Sequence, residues 1–434
     1  MTVIGSGQGD RLLSASEVRE IVERSIATVD PRWRRILVVI PDGTRTMSLP
    51  LMVDLLDEAL GRRTDALDYL VALGTHRPMT DEELARLIGR TVVGGRAGSS
   101  RVFNHCGSDA RELVQLGTIP AAEIASLTRG LLAEDLPVKL NRLVLDYDAL
   151  LVCGPVFPHE VVGFSGGNKY FFPGIAGPEV INLTHWLGAL ISSYEVIGTD
   201  HTPVRAVIDR AASLIDRPKI CFAAVATHSG LAGLYFGEPR EAWQAAAALS
   251  SQVHVVWVDK PFRRVLSVMP SMYEDLWTAA KGMYKVEPVV DDGGEVVIYA
   301  PHLTEVSYTH GPDIEAIGYH CRDYFLAQWD RFRHVPGGVL AHSTHLKGLG
   351  RYDAATGVES PRVSVTLATG ISEERCRRLN LGYLDPAQVD VEAWKGCEDK
   401  GVLVVQRAGE MLHRLWEARP ALVASAQARQ REEQ

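Results

Sequence analysis

Three times in the first part of this chain, a short apolar run leads into a polar loop and then into an amphipathic stretch. Arg35–Ile40 (RILVVI) runs into Pro41-Asp42-Gly43-Thr44-Arg45, followed by a stretch with Leu51, Leu55, Leu56 and Ala59 on one face. Tyr69–Leu73 runs into Gly74-Thr75-His76-Arg77-Pro78, after which Thr80 and Glu83 make a capping box at a helix start. Ala149–Cys153 runs into Gly154 and Pro155, which end it, and a long loop follows. Apolar runs without alternation suit strands buried on both faces, and strands that alternate with helices need crossover connections. The pattern predicts an α/β fold with a mainly parallel sheet flanked by helices. Its ligand site belongs at the carboxyl ends of the strands, where all three polar loops fall.

The remaining chain extends this plan. Residues 1–14 read as frayed, and Ser14 or Ser16 caps a helix over Glu17–Ala27. Cys221–Ala226 and Val253–Val258 read as strands, and Gly237-Glu238-Pro239 opens a helix. A boundary near Asp259-Lys260-Pro261 separates an N-terminal domain, 1–258, from a second α/β domain, 259–400. The second domain carries a helical segment, Met272–Lys285, and a strand, Glu295–Ala300. Residues 401–434 read as a final strand (Val402–Val405) and a helix with Met411, Leu412 and Leu415 returning to the first domain. A disordered Gln/Arg/Glu-rich tail follows. Two domains, each with a mainly parallel sheet, place the active site between them. Residues 302–400 show no legible role, and His342 with His345 lacks the carboxylate or cysteine neighbours of a metal site.

Composition excludes some partners. A formal charge of −9 over 434 residues lacks the basic excess of a nucleic-acid binder. No run has the length of a membrane span, and no charged-then-apolar signal segment opens the chain. The six cysteines are scattered without CxxC or disulfide-framework spacing, which suits a reducing compartment. A cytoplasmic protein is expected.

The densest chemistry lies in Pro155–His185, PVFPHEVVGFSGGNKYFFPGIAGPEVINLTH. Gly163, Gly166 and Gly167 let backbone N–H groups turn toward one anion, and Ser165 adds a hydroxyl donor. Lys169 could pair with a phosphate or attach a cofactor covalently. His159 and His185 could each be a base or a metal ligand. Taken singly, these residues read as a glycine-rich turn, a surface lysine and two unrelated histidines; gathered in one segment they point to a site.

PHEVVGFSGGNKYFFPG with His185 following resembles the signature of the nickel-pincer-nucleotide-dependent lactate racemase family. The P-D-x-T-R loop at Asp42–Arg45 and the G-x-H-R loop at His76 match that family's order. The resemblance implies a nicotinate-derived thio-nucleotide bonded to Lys169 within the Gly163, Ser165, Gly166 and Gly167 loop, with nickel ligated by His185. It implies His76 and His159 as catalytic bases, and Asp42 and Arg45 as substrate-positioning residues. Phe103-Asn104-His105 also resembles a family segment, with Cys106 where the family commonly has an acid, and His105 is read as structural. Where the family has Y-Q-x-x-K, this chain has Trp277-Thr278-Ala279-Ala280-Lys281. Lys281 is thereby expected to meet the substrate carboxylate.

The implied activity is racemisation or epimerisation of a 2-hydroxy acid through a 2-oxo acid, with the cofactor's biosynthetic enzymes as partners. Threonine for glutamine leaves room, and tryptophan for tyrosine enlarges an apolar wall, so a substrate larger than lactate is expected. Two other classes use part of the same residues. A pyridoxal-phosphate enzyme needs a lysine beside a phosphate loop, but gives no role to His185 or to two base-like loops. A non-catalytic nickel or cofactor carrier would have no use for two bases and two carboxylate clamps.

Overall fold

The computed structural model describes residues 2–418. The Gln/Arg/Glu-rich tail expected to be disordered lies outside the described residues. The chain forms two compact units. The first comprises residues up to His159, Gly163–Leu187 and Asp200–Val253; the second comprises Glu160–Val162, Gly188–Thr199 and the chain from His254 on.

The first unit is built on an eight-stranded sheet. Its centre is five parallel strands in the order Lys219–Thr227, Ala149–Pro155, Arg35–Ile40, Ala66–Val71, Ser100–Asn104. Gly230–Gly237 and Ile4–Gly7 extend one side antiparallel, and Arg96–Ala97 closes the other. Ile36, Val38 and Ile40 bury against Val18, Ile21 and Val22 of helix Ala15–Ile26 and against Met52, Val53 and Leu56 of helix Leu49–Leu60. Leu37 and Val39 point to the other face and are equally buried. Both faces are therefore covered, which is why RILVVI shows no alternation. The capping boxes Ser14/Glu17 and Thr80/Glu83 both form.

Two readings of this unit need correction. Ile4–Gly7 is a strand, not a frayed end, registered from Ile4 opposite Phe236 to Gly7 opposite Gly233. It has one apolar residue in four, so its order comes from backbone pairing that local hydrophobicity does not signal. The third apolar strand also continues through Gly154 and Pro155. Glycine stands there because a Cβ at Gly154 would lie 1.9 Å from the Tyr170 hydroxyl oxygen.

The second unit has a five-stranded, wholly parallel sheet in the order Gly382–Tyr383, Ser364–Thr369, Val290–Ala300, Phe262–Val268, Val402–Val405. Leu412–Leu415 is a strand rather than the expected helix, and pairs in parallel with Val255–Val258 of the same unit. The segment is too short for its apolar spacing to separate the two structures, and the partner strand decides. Among the described residues, no helix is long and apolar enough to cross a membrane.

Replacing Gly154 by Ala should push the Tyr170 ring from its place and lower stability by about 1–3 kcal/mol, read as an earlier urea midpoint. In a Tyr170→Ala background the same change should be nearly neutral, which separates the clash from any cost to the strand itself.

Candidate active site

The site grows from the carboxyl ends of the two strands on which the sheet reverses its winding, Arg35–Ile40 and Ala149–Pro155. The loops leaving them diverge, and a cavity opens there. It holds about 360 Å³ of empty space, its mouth included, and Pro41, Asp42, Arg45, Phe157, Ser165, Gly166, Lys169 and Tyr170 line it.

In the first loop, Asp42 accepts through Oδ1 from the Thr44 amide at 2.9 Å and the Thr44 hydroxyl at 2.6 Å, an Asx-type turn. Its Oδ2 accepts a hydrogen bond from His76 Nδ1, so the P-D-x-T-R and G-x-H-R loops meet through one carboxylate. Burial alone would raise the Asp42 pKa. The contact with the His76 ring, helped by Arg45 and Thr44, outweighs it and holds the carboxyl well below the usual range. Arg45 stands 5.4 Å from the Phe157 ring centroid, a cation–π contact at the cavity wall.

The His76 loop is pinned from two sides. The Gly74 amide donates to the Gly174 carbonyl at 3.0 Å, and Asn104 exchanges hydrogen bonds with the Met79 backbone. His105 is structural: Nε2 donates to the Ala176 carbonyl at 3.0 Å and Nδ1 faces the Asn141 amide at 3.2 Å. Burial lowers its pKa to about 4 against the opposing pull of that carbonyl, so it is neutral at pH 7.

In the third loop, Ser165 spends its hydroxyl on its own chain, donating to the Pro155 carbonyl at 3.0 Å and accepting from the Phe157 amide at 3.0 Å. The loop's carbonyls are held from outside. Trp243 Nε1 donates to the Ser165 carbonyl at 2.8 Å, and Arg205 donates to those of Gly166, at 3.1 Å, and Phe164. Arg205 stacks 4.1 Å from the Trp243 ring centroid. Burial lowers its pKa to about 10, which leaves it charged at pH 7. A Cβ on Gly166 would meet Val156 at 2.5 Å, and one on Gly167 would meet Trp243 at 2.8 Å. Packing against these side chains accounts for both glycines, where the sequence alone suggests an anion cradle.

Lys169 lines the cavity and Tyr170 lies beside it. Burial pushes the Tyr170 hydroxyl well above its ordinary pKa, with Arg45 pulling the other way. His159 is buried and pairs with Gly163 across a small hairpin. His185 sits on helix Pro178–Ile191 with Nδ1 donating to the Ile181 carbonyl at 2.7 Å. A carbonyl can only accept, so a neutral His185 carries its lone pair on Nε2. Among the described residues, no group of three or more His, Cys, Asp or Glu side chains is placed to hold a metal ion.

Trp277, Thr278 and Lys281 belong to the second unit. The Thr278 hydroxyl is held by Asp275, 2.8 Å from its carboxylate and 3.0 Å from its carbonyl, so it serves the helix start. Trp277 stacks on His342 at 4.0 Å and lies 4.5 Å from His310. Lys281 is 7% exposed, donates to the Thr278 carbonyl at 3.2 Å and lies 4.4 Å from the Tyr273 ring centroid. A helix lysine would ordinarily be a solvated charge; this one is buried. Sequence reasoning missed Arg205, Trp243, Phe157 and Tyr170. Arg205 and Trp243 sit on distant helices whose spacing reads only as amphipathic.

An α/β protein with a hydrogen-bonded Asp–His pair and a lysine at the switch point of its sheet is the class these features define. Residues 15–198 match the lactate racemase N-terminal domain family. Lactate racemases from Thermoanaerobacterium thermosaccharolyticum and Lactiplantibacillus plantarum are each 24% identical to the chain, over 275 and 283 residues. Those alignments cover 62% and 61% of this chain, which spans 60% and 59% of the relatives' lengths. A crystal structure of a Thermotoga maritima protein is 33% identical, with a TM-score of 0.86 over 94% of this chain and 100% of that one. The lactate racemase apoprotein from T. thermosaccharolyticum shares the fold, with a TM-score of 0.70 at 19% identity over 91% of this chain and 92% of that one. The family match thus falls on the first part of the chain, and the chain as a whole is similar to lactate racemases in sequence and fold.

Arg205→Met should leave the Phe164 and Gly166 carbonyls without their donor in a buried place, lowering stability by roughly 2–5 kcal/mol. Hydrogen exchange should speed up across 163–170 more than across the sheet strands. Unchanged exchange there would show that Arg205 does not hold the loop.

Proposed function

We propose that the chain is a racemase or epimerase of a 2-hydroxy acid, working with a nickel-pincer nucleotide attached to Lys169. The observation that carries this reading is the hydrogen-bonded pair of buried Asp42 and half-buried His76, with Asp42 lining a cavity that also takes in Arg45 and Lys169. The residues fit such a group. Lys169 opens onto the cavity, and the Nδ1–H of His185 is committed to a carbonyl, which gives the neutral imidazole the Nε2 lone pair that a metal ligand needs. Lys169 would hold the nucleotide and His185 the nickel. When bound, the group supplies a reversible acceptor for the carbinol hydrogen with its electron pair.

The chain's own residues do the rest. His76 takes the hydroxyl proton at Nε2, because Asp42 keeps a proton on Nδ1 and stabilises the imidazolium that forms. His159 takes the corresponding proton from the opposite configuration. Arg45 holds the carboxylate through two parallel hydrogen bonds while the 2-oxo acid turns its other face. In one direction His76 takes the hydroxyl proton and a protonated His159 gives its own to the inverted alkoxide; the reverse turn, or proton exchange with water, resets both bases, so no net proton or electron is consumed.

Substrates larger than lactate suit the second unit. Trp277 presents a broad ring held by its histidine neighbours, and the Thr278 hydroxyl is occupied by Asp275. Neither offers the phenol or amide that the family's tyrosine and glutamine would offer to a short substrate.

Protein made together with the enzymes that build the cofactor should carry an added nucleotide mass on the Lys169 peptide. Lys169→Ala should lose that mass, while His185→Ala should keep it and lose nickel by elemental analysis. An unmodified Lys169 peptide in active, nickel-replete protein would falsify the assignment. Across a panel of D-hydroxy acids from lactate to longer aliphatic, aromatic and sugar acids, kcat/KM should peak beyond lactate. Each buried methylene adds roughly 1 kcal/mol, a several-fold preference. A maximum at lactate would remove the size argument.

A further inference from the structure

A second cavity lies wholly within the second unit, with about 330 Å³ of empty space, its mouth included. It is lined by Ser192 and Ser193, by Arg322 at the start of helix Arg322–Ala327, and by Thr344, His345 and Gly348 at the end of helix Gly337–Lys347. No lining side chain is a carboxylate, and Arg322 is the lining cation.

Three side chains around this space can offer donors. Arg322 donates through Nη1 to the Leu190 carbonyl at 2.7 Å, and through Nε and Nη2 to Asp323 at 3.3 Å. Those three bonds leave other N–H groups of the guanidinium's five available. The Ser192 oxygen accepts from the Glu195 amide at 3.3 Å, which leaves its hydroxyl proton to donate. Ser192 has φ 113°, a backbone state that side-chain-bearing residues rarely adopt, and it aims this loop at the cavity. His345 is 4% exposed, and its Nε2 has no hydrogen-bond partner. Burial lowers its pKa to about 4, so it is neutral at pH 7, with one nitrogen able to donate. A buried ring nitrogen left unpaired is costly, and such atoms normally find water or a ligand. Three carboxylates stand outside the lining: Asp323 is engaged with Arg322, Glu160 acts on His345 without reversing the effect of burial, and burial raises the pKa of Glu287, disfavouring its charge.

We propose that this cavity binds a small oxyanion, a carboxylate or phosphate group, through Arg322, the Ser192 hydroxyl and the His345 Nε2–H. Guanidinium is the side chain best matched to such groups, because its planar N–H pairs meet two oxygens at once. The site shares no residue with the cavity around Lys169 and is independent of the activity proposed above.

Calorimetric titration of the full chain with sodium phosphate and sodium succinate, at ionic strength fixed with sodium chloride, tests this. Glycerol serves as the uncharged control. At least one anion should bind saturably and glycerol should not; the tighter of the two identifies the group as phosphate or carboxylate. Arg322→Gln should weaken binding by roughly tenfold or more, the loss of a charge-assisted contact. Ser192→Gly suits the positive φ and so preserves the fold, and it should weaken binding by about two- to fivefold. If Arg322→Gln melts early, Ser192→Gly and His345→Phe decide. Absence of saturable anion binding, equal binding of glycerol, or unchanged affinity in the folded variants overturns the proposal.

Discussion

Parallel strands connected by crossovers must choose a side, and in the first unit the choice changes once. From Arg35–Ile40 the chain winds outward through Ala66–Val71 to Ser100–Asn104. It then returns to lay Ala149–Pro155 on the other side of its starting strand. The loops leaving those two adjacent strands cannot cover the same ground, and the gap between them is the place for a ligand. The Asp42 loop descends from one strand and the Lys169 loop from the other. The position of the candidate active site thus follows from strand order before any individual side chain is considered.

Burial then decides which charges survive there. Asp42 and Arg205 both lie almost out of reach of water, and each is kept ionised in a different way. Asp42 has a counter-charge and three donors. Arg205 has no hydrogen-bonded carboxylate but gives its protons to carbonyls and its face to Trp243. Guanidinium tolerates that arrangement because its pKa is too high for burial to neutralise it. A lysine placed there would lose its charge more readily and could not reach two carbonyls with a rigid fork.

Much of this was legible in the sequence because it is local. The unbroken apolar run RILVVI and the T-x-x-E box state their structures within a few residues, and the polar loops at strand ends mark the ligand face. His105 reads as structural and is so, tied to Ala176 and Asn141. What was not legible depends on distant partners. The Ile4–Gly7 strand is defined by Gly230–Gly237, the Leu412–Leu415 strand by Val255–Val258, and the shape of the GFSGG loop by Arg205 and Trp243. The Thr278 hydroxyl is held by the helix-capping Asp275 three residues earlier, a partner that is recognised only once the helix start is located.

The Arg205–Trp243 clasp has a consequence for how the Lys169 loop meets whatever it carries. Its carbonyls are paired by the protein and its glycines are packed, so the loop acquires its shape when the chain folds. The entropy of ordering that backbone is then met in folding and not in any later binding. A loop held in this way would meet a guest as a mould does, already in shape, and would sort by fit the groups that could reach the lysine.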